Sequence, residues 1–479
     1  LNDRRTRLYV FDIDKKEATL LTPGPYDNSD PVWGPGGDII AFTSKRGEDP
    51  DRHINSDIYV IEAKPDAKPR QVTTWEGADS SPVFSPDGNT IAYLRGGPVK
   101  YAWYDSDQIA TVSVKGGDER VVNPNYDQYV YSPRWSRDGK ALYFLVEDDR
   151  ITSLASMAIT GGEPEIFYPT RSKPGVARSF EVGARGIAAL VAFPQRPAEI
   201  YRVEDAAALT DHNQEFRDSI EWGSVEGFDA TSADSVAVGS MLRKPPGFRK
   251  GKEYPTIFYI HGGPVGQDAF DFDFTAQLLA AQGYLVVQPN YRGSSGRGRE
   301  FSRAIYADWG NLEIQDIHAV ADKLVEEGLS DPDRLGIGGW SYGGINTNFA
   351  IATDTRFSAA ISGSGAANYI AGYGTDQYIW QYENEVGLPW VSIDTYLKMS
   401  YPFLNADRIE TPTLFMCGEK DFNVPLINSE QMYQALRSLN VPTQLVIYPG
   451  EYHGLSKPSN IQDRLERWID WYARYLGED

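Results

Sequence analysis

Two different rhythms of apolar and polar residues divide the chain. Over roughly residues 1–215, apolar positions come in short alternating runs bounded by Pro, Gly and Asp, the pattern of half-buried β-strands. The runs recur. Pro31-Val32-Trp33-Gly34-Pro35-Gly36-Gly37 leads into Ile40-Ala41-Phe42, and Pro82-Val83-Phe84-Ser85-Pro86-Asp87-Gly88 into Ile91-Ala92-Tyr93. Pro133-Arg134-Trp135-Ser136-Arg137-Asp138-Gly139 leads into Leu142-Tyr143-Phe144. Both intervals, 31 to 82 and 82 to 133, are 51 residues. Each unit reads as a strand carrying an aromatic or apolar residue, a tight turn and a second apolar strand. A further strand is predicted at 57–62 and again at 108–114, and a degenerate copy at about 179–203. Short strands at such a period are the signature of β-propeller blades. About four blades can be counted against the four to eight that close a propeller. Residues 7–21 read as outer strands of another blade. The propeller is therefore expected to be N-terminally incomplete, the chain being a C-terminal portion of a longer protein or one half of a nicked one.

From about residue 216 to 479 the rhythm changes. Apolar runs at 219–230, 235–243, 255–260, 284–289, 335–338, 357–362, 412–417 and 443–448 predict strands. Between them, stretches of helical period predict helices at 269–282, 312–327, 342–353, 427–438 and 459–476. In the last of these, Ile461, Leu465, Trp468, Ile469, Tyr472 and Leu476 share one face, the spacing of a helix packed on a sheet. Alternation of this kind predicts a mostly parallel sheet covered on both faces. A propeller domain at 1–215 and an α/β domain at 216–479 are the expected organisation.

Composition narrows the partners. The formal charge of −21 argues against nucleic acid and against anionic membrane surfaces, and reads as solubility. No run of about eighteen apolar residues is present, so no membrane-spanning helix is expected. The N-terminal Leu-Asn-Asp-Arg-Arg-Thr-Arg is polar, with neither an initiator Met nor a signal-type apolar region. Cys417, the single cysteine, excludes an intrachain disulfide and reads as a small core hydrophobe, which leaves cytoplasm and periplasm both open. No Cys/His grouping has metal-ligand spacing, so neither metal nor cofactor is expected.

The candidate chemistry centres on Gly339-Trp340-Ser341-Tyr342-Gly343. An apolar strand precedes this Gly-x-Ser-x-Gly and a helical stretch follows, the context of a nucleophile elbow in an α/β-hydrolase sheet. A serine hydroxyl needs a base, and imidazole is the usual one near neutral pH. Five histidines are available. His53 and His212 lie in the strand-repeat half, and His318 falls inside a helical pattern. His261 precedes two glycines upstream. His453, in the turn-rich Tyr448-Pro449-Gly450-Glu451-Tyr452-His453-Gly454, follows a strand and has no packing reason to be there. This fold orders its triad Ser, Asp/Glu, His. Of the intervening aspartates, Asp421 alone closely follows a buried-type strand, 413–417, with Glu419 as runner-up. Acyl transfer also needs two N–H donors for the oxyanion. Tyr342, next after the nucleophile, supplies one. Gly263, with Gly262 as alternate, supplies the other from His261-Gly262-Gly263-Pro264, where His261 shapes the loop.

A propeller followed by this order of residues resembles the prolyl oligopeptidase family of serine peptidases over nearly the whole chain. The motifs that carry the likeness are Gly-Trp-Ser-Tyr-Gly-Gly at 339–344, Gly-Glu-Lys-Asp-Phe-Asn-Val-Pro at 418–425 and Tyr-Pro-Gly-Glu-Tyr-His-Gly at 448–454. Within the family, His-Gly-Gly-Pro at 261–264 is similar to the acylaminoacyl-peptidase branch. His261 stands where the prolyl oligopeptidase and dipeptidyl-peptidase branches place a tyrosine. The resemblance implies peptide-bond hydrolysis near the N-terminus of short peptides, with a propeller that admits peptides and excludes folded proteins. The segment 363–403, dense in Tyr and Trp, is a candidate side-chain pocket, with most of its rings expected to be packing. Arg292 reads as an internal ion-pair residue more than a substrate contact. Two rival readings stay open, an esterase or isopeptidase on the same machinery and a propeller binding protein with an inactive hydrolase domain. Homo-oligomers and a missing N-terminal propeller segment or chain are both compatible with the sequence.

Overall fold

The structure, a computed structural model, describes residues 4–477. These fall into two compact units, one running up to Ala192 and resuming at Ala198–His212, the other taking Phe193–Pro197 and continuing from Asn213.

The first unit is built from antiparallel β-sheets of the β-propeller type. Asn28–Trp33, Ile39–Ser44, Asp57–Glu62 and Arg70–Gln71 form one four-stranded meander, and Asp79–Phe84, Thr90–Arg95, Gln108–Ser113 and Arg120–Val121 the next. Val130–Trp135, Ala141–Asp148, Ile151–Ala158 and Glu165–Tyr168 follow, then Val176–Gly183, Gly186–Phe193, Arg196–Arg202 and Ala207–Ala208. These last two meanders are bridged by one parallel pair, Thr152 with Val176. Tyr9–Asp12 and Glu17–Leu20 make a separate two-stranded pair.

The 51-residue repeat has a structural counterpart. The first strands of three meanders each carry a register shift, at Asp30, Ser81 and Ser132, and each of these residues has positive φ. The turn that follows ends in Gly37, Gly88 or Gly139, all near φ +70. In the second and third copies a serine hydroxyl binds the turn aspartate, Ser85 to Asp87 at 2.6 Å and Ser136 to Asp138 at 2.7 Å. Each sheet hides a face against its neighbour. Ala41, Ile58 and Val60 share a core with Ile91, Tyr93 and Val112, whose sheet in turn packs Ala92, Leu94 and Ile109 against Leu142, Phe144 and Val146. An antiparallel meander with two apolar faces cannot stand alone in water, so the repeats stabilise one another.

The second unit is one eight-stranded sheet. Its spatial order is Val225–Thr231, Ala237–Arg243, Leu285–Pro289, Tyr254–Ile260, Ser330–Trp340, Phe357–Gly363, Thr413–Gly418, Thr443–Tyr448. The first two pairings are antiparallel and the rest parallel. All eight predicted strands are present. The first begins at Val225, later than expected: after the short helix Gln214–Asp218 the chain stays irregular, with the Trp222 indole N–H bonded back to the Arg217 carbonyl. The helix expected from 269 begins at Phe274, where the Asp273 carboxylate accepts the Ala276 amide at 2.9 Å and caps it. Ile257, Val286, Ala359, Ile361, Leu414 and Met416 share a core with the helices Phe274–Ala281 and Pro458–Leu476. Phe258 and Ala360, next to Ile257 and Ala359 on the same strands, point to the opposite face together with their paired neighbour Ile337, and all three are fully buried, so both faces are covered.

Candidate active site

The strand Ser330–Trp340 lies between the parallel strands Tyr254–Ile260 and Phe357–Gly363 and stops at the next residue. Ser341 has φ 61 and ψ −121, a strained conformation for a residue with a side chain, and caps the helix Tyr342–Thr353. The glycines two before and two after it are required by contact. A Cβ on Gly339 would sit 2.2 Å from the Ile260 carbonyl oxygen, and one on Gly343 2.1 Å from the same atom. The sharp turn thus brings the serine to the carboxyl edge of the sheet, with the helix N-terminus behind it.

Three residues beyond the next strand but one, Thr413–Gly418, Asp421 turns its fully buried carboxylate inward. Its Oδ1 accepts the amides of Asn423 and Val424, both at 2.9 Å, and its Oδ2 lies 2.8 Å from Nδ1 of His453. A carboxylate accepts only, so Nδ1 carries the proton and Nε2 is left as the basic nitrogen. The His453 carbonyl takes the indole N–H of Trp340 at 2.8 Å, which joins the histidine loop to the residue before Ser341. Of the three predicted triad residues, the aspartate and histidine are hydrogen-bonded to each other, while the Ser341 hydroxyl makes no hydrogen bond among the described residues. Hydroxyl–imidazole contacts are often long in unliganded sites and tighten with substrate.

The loop after Tyr254–Ile260 closes over the same turn. A Cβ on Gly262 would lie 3.2 Å from the Ser341 Cβ and 3.8 Å from the Tyr342 amide nitrogen. Gly263 has φ +133, where a Cβ would meet the Val265 nitrogen at 2.7 Å, so glycine is needed there. Its amide donates no hydrogen bond among the described residues. His261 uses both ring nitrogens on the loop: Nδ1 donates to the Gly262 carbonyl at 2.8 Å and Nε2 accepts from the Ser294 hydroxyl at 2.9 Å. Burial pushes this imidazole down to about 4, so it is neutral at pH 7.

Two glutamates that sequence reasoning passed over hold the site together. Glu451, two residues before His453, accepts from the Ser456 amide and hydroxyl, the Lys457 amide and the Asn460 side chain. These bonds, that of the Ser456 amide foremost, hold its carboxyl down to about 2 and fasten the histidine loop to the start of the last helix. Glu313, fully buried, accepts from the Tyr342 hydroxyl at 2.9 Å. Arg292 is an internal ion pair, its guanidinium on Asp316 and Asp234. Glu419 accepts the Gly450 amide and is a loop brace. His318 stacks on Phe357, whereas His53 and His212 belong to the first unit. Residues 363–403 are short helices in which Tyr369, Tyr382 and Tyr396 are buried, while Trp390 is exposed. Cys417 is buried beneath Asp421, its thiol pushed up to about 12 by burial and by that carboxylate. Among the described residues, no group of three or more His, Cys, Asp or Glu could hold a metal ion, and no helix is long and apolar enough to cross a membrane.

Comparison with known proteins gives two regional matches. Residues 8–177 match the TolB beta propeller domain, and residues 270–479 match the prolyl oligopeptidase family. Dipeptidyl-peptidase 5 of Porphyromonas gingivalis is 28% identical over 459 residues, covering 93% of this chain and 66% of that protein. An uncharacterized peptidase of Bacillus subtilis, YuxL, is 28% identical over 576 aligned positions, covering 98% of this chain and 86% of its own length. The fold is similar to that of the acylaminoacyl peptidase of Pyrococcus horikoshii, with TM-score 0.85 at 24% identity over 98% of this chain and 74% of that one.

Proposed function

We propose, from the match of residues 270–479 to the prolyl oligopeptidase family, that the protein is a serine peptidase cleaving short peptides near their N-terminus through Ser341, Asp421 and His453. The observation that carries the reading is the 2.8 Å pair of Asp421 and His453, fixed by Trp340 to the strained turn that bears Ser341. The names of its relatives, a dipeptidyl-peptidase and acylaminoacyl peptidases, support the substrate class.

In this mechanism the Ser341 hydroxyl attacks the scissile carbonyl while His453 Nε2 takes its proton. Asp421 keeps the imidazole in the required tautomer and stabilises the imidazolium. The tetrahedral oxyanion accepts from the backbone N–H groups of Tyr342 and Gly263, and the helix beginning at Tyr342 adds a favourable dipole. Collapse breaks the C–N bond, His453 hands its proton to the leaving amine, and an acyl-Ser341 ester remains. Water then attacks the ester, His453 again acting as base, and returns the free hydroxyl.

The test is digestion of a mixed peptide library, with products read by mass spectrometry and Ser341→Ala as control. Cuts close to N-termini in the wild type, absent from the variant, are expected. Matched peptides with free and acetylated N-termini then separate the dipeptidyl from the acylaminoacyl class. Turnover of nitrophenyl esters without any peptide cleavage would replace this reading by that of an esterase.

A further inference from the structure

Resting on the peptidase reading above, we infer that Glu313 is a positioning residue for the oxyanion hole, holding the Tyr342 ring by its hydroxyl and thereby aiming the backbone N–H that follows the nucleophile. Glu313 lies in the first turn of the helix Leu312–Glu326 and is fully buried. Its Oε1 accepts from the Gly310 amide at 2.6 Å and the Tyr342 hydroxyl at 2.9 Å, and its Oε2 from the Asn311 amide at 3.2 Å. The carboxylate is thus locked to its own helix start by two amides and reaches one side chain outside it.

That side chain belongs to a column of rings. Tyr342 is only 3% exposed, stacked 6.2 Å from Tyr291 at 19° on one side and edge-on to Trp309 at 5.8 Å on the other. Tyr291 in turn stacks on His261 at 4.5 Å and 14°, and donates its hydroxyl to the His261 carbonyl at 2.9 Å. One end of the column sets the loop of Gly263, and its middle sets Tyr342, so the rings connect the two elements that supply the oxyanion donors. Packing alone does not call for a carboxylate at its base. Burying one is unfavourable, and here burial pushes its pKa up to about 7. A phenylalanine against an apolar residue would fill the same space without that penalty. What the acid adds is direction: a ring that can slide in an apolar slot is pinned at one atom.

The experiment uses the full chain and a peptidyl-nitroanilide substrate. Tyr342→Phe removes the hydroxyl and leaves the backbone N–H, so the expected loss is about 10-fold in kcat with KM within about twofold, a fraction of the roughly 10²–10³ lost when an oxyanion donor is removed outright. Glu313→Gln keeps an amide oxygen for Gly310 and Tyr342 and is expected to retain kcat within about threefold. Glu313→Ala should fall as Tyr342→Phe does, and the double variant no further. Should Glu313→Ala not fold, Tyr342→Phe and Glu313→Gln carry the test between them. Wild-type kcat in Tyr342→Phe, or a loss confined to KM, overturns the inference. A fluorophosphonate control keeps the two readings apart. Wild type labelled at Ser341 with an indifferent Tyr342→Phe removes this inference alone, whereas wild type unlabelled at Ser341 removes the peptidase reading and this inference with it.

Discussion

The side chains that matter most here differ in how far their role can be read from their neighbours in sequence. The strained turn at Ser341 is legible because a strand, two glycines and a helix surround it, and the loop positions of Asp421 and His453 because each follows a strand on a turn-rich loop. Glu451 and Glu313 are not, since a glutamate in a loop or at a helix start usually faces water, and only tertiary contacts turn them into acceptors of four and three hydrogen bonds. His261 is intermediate: its place before two glycines suggests a loop role, and its neutral, doubly bonded ring fits that. The Asp421–His453 bond has a direct consequence. Asp421→Asn keeps the shape, but its amide can turn an N–H toward Nδ1 and favour the wrong tautomer, leaving Nε2 protonated. A fall in kcat of about 10⁴-fold is expected, with a near-normal thermal midpoint. Activity within tenfold of wild type would show that Asp421 does not orient the base.

Elements were more legible than their ends. The eight strands of the second unit and its long helices follow from period alone, because each hides a face whose residues recur at two or at three to four positions. Boundaries moved where a single polar contact decided them, as with Asp273 capping the helix at Phe274. The segment 363–403 is packed as short helices no longer than seven residues, too brief for a periodic signal. The turn at Ser341 is the tightest junction, since both its glycines face the Ile260 carbonyl. Gly343→Ala forces a methyl to within 2.1 Å of that oxygen unless strand and helix part. A loss of about 3 kcal/mol in stability is expected, read by urea unfolding, with activity falling alongside. A variant as stable and as active as wild type would mean that the turn is looser than described.

At the scale of the whole chain, the change of rhythm near residue 216 and the 51-residue period were plain in the sequence, whereas its buried acids were not. Burial raises Asp79 to about 8, Asp57 and Asp107 to about 6, Asp268 to about 8 and Glu313 to about 7. Each ionises more readily unfolded, so between about pH 4 and 8 the unfolded chain releases protons that the folded one retains, and stability falls as pH rises. The carboxyls of Asp87 and Glu451, held down to about 2, act the other way below about pH 4, and the His261 imidazole, lowered to about 4, opposes the five acids only up to about pH 6.5. The thermal midpoint is therefore expected to be higher at pH 5 than at pH 8. Asp79, fully buried and raised to about 8 chiefly by that burial, should carry a large part of the difference. Asp79→Asn is expected to raise the midpoint at pH 8 and barely change it at pH 5, and an unchanged slope would remove Asp79 from the account. The central claim, that a turn, a loop histidine and a buried aspartate make one serine nucleophile, is tested most directly by treating the folded chain with a fluorophosphonate probe and mapping the adduct by mass spectrometry. One stoichiometric adduct on Ser341, lost in His453→Ala, is the predicted result. An unmodified Ser341 in folded protein, or labelling that persists without His453, would contradict it.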